Sequence, residues 1–278
     1  LLAYGAGAVL TVPAVWAATA SPAGAAAPQT VAAALPASAS ADDQYLSYSG
    51  TATARHSAKF LYAEHHILKF SEGRLAERVV LYTCRDGSPF ARKTVSYVDP
   101  FAPDFLLEIA STGMREGVRT VGKERSVFFR GDGRDPEKTS PLPPIRGLVA
   151  DAGFDEFVRA HWHDLMSGRS EELHFLVPSR LEEIGFQVQH LRSETEDGIS
   201  AEVFRLKLAG FWGWVLPGID VSYSADDHVL MRYDGLSDLR DASGDNFQTQ
   251  ITFPPNERAP ASAASMEEAR QAKLAPCR

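Results

Sequence analysis

Charged side chains are missing from the first 41 residues of this 278-residue chain. Leu1 to Ala18 is apolar, and small-residue triplets end at Ala20, Ala27 and Ala41. That is the pattern of the hydrophobic part and cleavage positions of a secretory signal. Gly5, Gly7, Pro13 and the many alanines make it a poor transmembrane helix. Residues 20–41 are Ala, Pro and Ser, a composition that cannot bury enough apolar area to fold. Residues 1–41 are therefore expected to be signal peptide and linker, leaving a mature chain with no membrane-spanning helix in the periplasm or secreted.

Other scarcities narrow the function. No cysteine follows the apolar run, so a signal-peptide lipid anchor has no attachment point. The two cysteines, Cys84 and Cys277, fall in a probable strand and at the extreme end. An oxidising compartment permits disulfides, but a bond to a loose terminus would restrain little, and two independent thiols are expected. Net charge is −8, so no basic excess points to nucleic acid. Phosphate loops, dinucleotide fingerprints and zinc spacings are absent. Asp238, Asp241 and Asp245 lack the glycine and terminal glutamate of a calcium loop. Neither "PSRL" nor "GLSDL" has the strand-turn-helix setting of a nucleophile elbow. "RGD" at Arg130–Asp132 has the composition of any polar turn. No cofactor and no metal are expected, and nothing assigns a catalytic residue.

What the chain does have is alternation. Phe60, Tyr62, Leu68 and Phe70 fall on one face of a strand at period two. "RDGSP" is an Asp-Gly hairpin turn into "FARKTVSYV". Phe204, Leu206 and Leu208 oppose Arg205 and Lys207. "IDVSYSADDHVLMRYDGL" reads as two strands about "ADD", and "NFQTQITF" alternates again. Charged rows opposite apolar rows predict antiparallel sheet with one buried face. The fold class is mainly β, a curved sheet or an open or closed β-barrel of about a dozen strands spanning residues 42–253. One main helix, Gly147–Gly168, carries Val149, Phe154, Phe157, Val158, Trp162 and Leu165 at helical spacing and packs on the sheet. Residues 254–278 form a disordered tail in which Ser265 and Glu268 mark a short helix with nothing to pack against.

The histidines of "VRAHWHDL" look like a metal pair, but on a helix residues i and i+2 diverge by about 200°. His161 and His163 therefore cannot share an ion. "AEHH" is more informative: Glu64 and His66 interrupt the apolar row of their strand, and if that face is interior they put a carboxyl and an imidazole together in an apolar cavity; the alternative is a structural hydrogen-bonded pair or a face not fully buried. They could bind a polar head group or act as acid and base. "FWGWVLPG" sets Phe211, Trp212 and Trp214 between glycines, where exposure would make a ligand mouth or partner patch, and inward folding would make them core of a strand bent at Gly213.

An exported chain of long antiparallel strands, one apolar-striped helix after a proline loop, and closing hairpins resembles the Lol-type lipoprotein carrier superfamily. That resemblance spans Tyr45 to Phe253 and implies an unclosed barrel whose greasy concave face takes up acyl chains. "DGSPFARK", "DAGFDEF" and "PSRL" also resemble a family of exported bacterial proteins to which no activity attaches. Independently, one helix about 30 Å long cannot cover a dozen strands, so apolar inner wall is left over. The expected function is binding of a lipid or other hydrophobic small molecule by Phe60, Tyr62, Glu64, His66, Phe204, Leu206, Phe211, Trp212 and Trp214. The alternatives are an envelope scaffold with a protein partner, or a hydrolase using Glu64 and His66.

Overall fold

The alternating segments become sixteen strands rather than a dozen. In chain order these are β1 (Gln44–Ala54), β2 (Phe60–Ser71), β3 (Arg74–Thr83), β4 (Pro89–Ser96), β5 (Asp104–Ile109), β6 (Met114–Val121), β7 (Glu124–Arg130) and β8 (Lys138–Pro141). They continue as β9 (Leu148–Val149), β10 (Ser170–Val177), β11 (Glu182–Glu196), β12 (Ile199–Leu208), β13 (Ile219–Ser224), β14 (Leu230–Arg240), β15 (Asn246–Thr252) and β16 (Ala259–Pro260). This computed structural model describes residues 43–209, 218–241 and 244–277. All of them belong to one compact unit beginning at Ser40.

Fifteen strands form one path, β8 through β1, then β15 back through β9, with β16 beside β1. Pairing is antiparallel except between β9 and β10. The path ends on β8 and β9, yet these are consecutive in sequence, separated only by residues 142–147. A flat sheet would hold its edges roughly 65 Å apart at about 4.8 Å per strand. The connecting residues reach about 25 Å at most. The sheet must therefore curl until its edges nearly meet.

No ladder closes that seam: β8 and β9 are not paired. Side chains close it instead. Val95, Phe105, Val118 and Val127 from β4–β7 pack with Leu148, Ala150 and Leu176 from the other edge. The 3-10 turn Pro178–Arg180 contacts β6 and β7, and the Ala150 N–H donates to the Phe101 carbonyl at 2.9 Å.

The expected 22-residue helix is broken. Leu148–Val149 joins β10 as a strand, and α1 (Gly153–Ala160) and α2 (Trp162–Met166) share His161 as a junction. Asp155 and Glu156 occupy the first turn of α1, where carboxylates favour the helix dipole. Phe154, Phe157, Val158 and Leu165 enter the main core. His161 turns back, its Nδ1–H donating to the Phe157 carbonyl at 2.8 Å, while His163 is exposed. The two imidazoles are not brought together. Trp162 lies edge-on to Phe204 at 4.9 Å and stacks on His228 at 3.7 Å.

The tail departs most from expectation. Instead of lying disordered, it forms α3 (Ala263–Gln271), capped by Ser262 and Ser265 rather than by Ser265 and Glu268. Met266 and Ala269 pack on Val79, with Tyr45, Ile67 and Leu81 around them on the outer face of β1–β3. Arg270 pairs with Glu77, and Arg92 donates to the Ala272 carbonyl at 3.1 Å. This docking brings Cys277 to Cys84, and the two form a disulfide across 193 residues. The expectation of independent thiols fails because the terminus is not loose: α3 packs on the sheet and the Ala275 N–H donates to the Pro89 carbonyl beside Cys84.

Candidate ligand cavity

Inside the curled sheet, between its wall and α1, lies a cavity of about 270 Å³. Phe105, Phe175, Leu206, Val221, Ile251 and Phe253 supply apolar wall from strands all round the sheet. Leu236, 47% exposed, stands at its rim on β14, where the β14–β15 register shifts.

Glu64 and His66 both line this cavity. They share the inner face because two residues separate them in β2, and the Glu64 Oε2–His66 Nε2 distance is 2.9 Å. His66 is stacked on Tyr48, with ring centroids 4.4 Å apart. The Phe253 ring, edge-on at 5.6 Å, leans across Gly50. A Cβ at Gly50 would meet that ring at 2.3 Å, so only glycine lets Phe253 seat there. Burial pushes the Glu64 carboxyl up to about 8, with Asp238 adding to it. Burial also drives His66 well below the ordinary imidazole value, with Arg78 adding to it. At neutral pH both are uncharged, so the contact is a hydrogen bond and not an ion pair. Glu64 donates its acid proton to Nε2, which leaves His66 Nδ1 as a buried N–H without a partner. Among the described residues the imidazole hydrogen-bonds only to Glu64.

Six further acidic or basic side chains line the same space: Arg78, Lys93, Glu116, Asp151, Asp155 and Asp238. Arg78 on β3 meets Asp155 of α1 at 3.4 Å, and the Tyr223 hydroxyl donates to the other Asp155 oxygen at 2.9 Å. Lys93 on β4 donates to Asp151 at 2.5 Å and to Asp238 on β14. Burial opposes the Lys93 charge, but Asp151 and Asp238 outweigh it and hold its pKa well above the usual value. Asp151 sits at φ 48°, outside glycine's usual monopoly on positive φ; aspartate tolerates that region better than most residues. The side chain of Glu116, a β6 residue 6% exposed, makes no hydrogen bond or ion pair among the described residues. Burial, then Asp238, raises its carboxyl to about 8.

The remaining expected site residues are scattered. Leu206 lines the cavity, whereas Phe204 and Tyr62 are buried behind its wall. Tyr62 is linked to the lining through its 3.0 Å hydrogen bond to Ser237. Phe60 does not reach the interior and is covered by Arg85, 4.8 Å from its ring. Phe211, Trp212 and Trp214 lie outside the described residues. Arg78, Lys93 and Glu116 were missed, although each interrupts an inward apolar row as Glu64 does. Among the described residues no three His, Cys, Asp or Glu converge as a metal site.

No family model matches the sequence, and no curated protein matches it. Among solved structures the chain is similar to a beta-barrel-like protein of a domain of unknown function from Brucella abortus. That likeness has a TM-score of 0.49 at 7% identity and covers 79% of this chain and 99% of the other.

Proposed function

We propose that this is an exported β-barrel-like protein that binds a small molecule with a hydrophobic body. The observation that carries the reading is the cavity of about 270 Å³ bounded by Phe105, Phe175, Leu206 and Phe253. Ligand sites are typically concave and mainly apolar, with a few polar groups fixed in the wall. Each methylene transferred from water to such a wall contributes about 0.8 kcal/mol. The polar groups make the guest amphipathic rather than purely greasy, because buried hydrogen-bonding groups favour a guest that satisfies them. Export is supported by the charge-free, apolar start of the chain and by the Cys84–Cys277 disulfide, a bond that persists in oxidising compartments.

Native mass spectrometry of freshly purified protein tests this. One bound small molecule, lost on denaturation, is expected. A clean protein mass, together with no uptake of fluorescent fatty-acid, fatty-alcohol or alkylamine probes, overturns it.

A further inference from the structure

Resting on that cavity reading, we propose that the guest is an amphipathic organic cation, with its ammonium group among Glu64, Glu116, Asp151 and Asp238 and its hydrocarbon against the aromatic wall. The argument begins with two buried carboxyl groups, Glu64 and Glu116, that no cation pairs with among the described residues. Four carboxyl groups from β2, β6, the turn before α1 and β14 surround one lysine, Lys93. That lysine is committed to Asp151 and Asp238. Arg78, which faces Glu64 from β3, is committed to Asp155. Arg240 on β14 donates to the Gly244 carbonyl and lies over the Phe129 ring, and its buried Nε has no hydrogen-bond partner, so it acts on Glu116 only through space.

Glu116 is thus left buried and unpartnered on the cavity wall, and Glu64 uses only one oxygen, on His66. Asp151 also keeps one oxygen, Oδ2, without a partner. An anionic head would meet the Asp151 and Asp238 carboxylates, and like charges repel. An inorganic ion needs converging ligands, and no such convergence exists among the described residues. A monovalent ammonium on an alkyl chain needs only neighbours on several sides, and the rings of Tyr82, Tyr233 and Phe105 also favour a cation nearby. At neutral pH Glu64 and Glu116 hold protons because burial raises both to about 8. Arrival of the ammonium favours their ionised forms, so binding releases protons to solvent.

The test compares octylamine, 1-octanol and octanoate by calorimetry between pH 5 and pH 9. Octylamine is expected to bind at least tenfold more tightly than 1-octanol at pH 8. Its affinity is expected to rise with pH between 5 and 8, by up to tenfold per unit for each proton released. The binding heat at pH 7 is expected to vary with the ionisation enthalpy of the buffer. Glu116→Gln is expected to lose the amine's advantage while still binding 1-octanol. If 1-octanol or octanoate binds as tightly as the amine, the cation assignment is wrong and the cavity reading stands. If none of the three binds, both fall. Should Glu116→Gln fail to fold, Glu64→Gln and the proton release of the unmodified protein decide the question. An amine preference unchanged in a folded Glu116→Gln protein, with no proton release, overturns the placement.

Discussion

Replacing Glu116 by glutamine should stabilise the protein, and by an amount set by pH. Glu116 titrates near 4.5 when free and near 8 in the fold, chiefly because burial disfavours its charge. Between those values the unfolded chain has released a proton that the folded chain still holds. The unfolded state then binds fewer protons, so stability falls as pH rises. The slope is about 1.4 kcal/mol per pH unit, and the loss levels off above the folded value. Glutamine has the same shape and nothing to titrate. Its advantage over glutamate should be under about 1 kcal/mol at pH 5, about 3 kcal/mol at pH 7 and about 5 kcal/mol at pH 9. Urea unfolding at constant ionic strength, with the disulfide intact, measures each difference. The sign is the sharp part, since loss of a useful ion pair would instead destabilise. A gap between the two proteins that is constant from pH 5 to pH 9, or that narrows, refutes the claim that this carboxyl is held neutral by burial. Glu64→Gln should follow the same trend, because the amide still donates to His66 Nε2.

Other perturbations probe the frame around the cavity. Cys84→Ser should remove the mobility shift between reduced and non-reduced gels, expose one titratable thiol, and lower stability by about 2–5 kcal/mol. Asp155→Asn strands the buried Arg78 charge and should cost about 3–5 kcal/mol, whereas Tyr223→Phe removes one hydrogen bond and should cost about 1 kcal/mol; equal losses from the two would contradict the Arg78–Asp155 pairing. Gly153→Ala drives a Cβ to 1.9 Å from the Phe101 carbonyl oxygen, so α1 must shift. A drop in melting temperature, with Trp162 fluorescence reporting altered packing, is expected.

Where contacts are local, the sequence was readable. The Asp-Gly turn appears as the β3–β4 hairpin, with Gly87 at φ 82° and the Cys84 N–H donating to the Ser88 carbonyl. Period two also placed Glu64 and His66 on the inner face, because a strand has only two faces. The same rule applies to Arg78 before Val80 and Tyr82, to Lys93 between Ala91 and Val95, and to Glu116 between Met114 and Val118. These were legible and were passed over as ordinary charges. Asp151, Asp155 and Asp238 are different, since only the curl of the sheet brings a turn and β14 to Lys93 and α1 to Arg78. The docking of α3 was hidden in the opposite direction. Ile67, Val79 and Leu81 lie on the face assigned to water, and apolar residues there call for a cover that two small contacts, Met266 and Ala269, supply.

The seam explains how so polar a group of side chains coexists with a barrel-like sheet. A barrel closed by backbone hydrogen bonds must break part of a ladder to admit a guest, and each buried N–H or C=O left unpaired costs about 1–3 kcal/mol. Here β8 and β9 are unpaired, and the edges are joined by Val95, Phe105, Leu148 and Leu176. Phe105 and Leu176 belong to this seam and to the cavity wall alike. Parting them exposes apolar surface, at about 25 cal/mol per Å², and leaves the strand ladders on either side intact. A guest whose hydrocarbon covers the same surface offsets that exposure. Charged pairs such as Arg78–Asp155 and Lys93–Asp151 tie β3 and β4 to α1 and to the turn before it, so the inner wall is braced by ion pairs where the seam itself is joined mainly by apolar side chains.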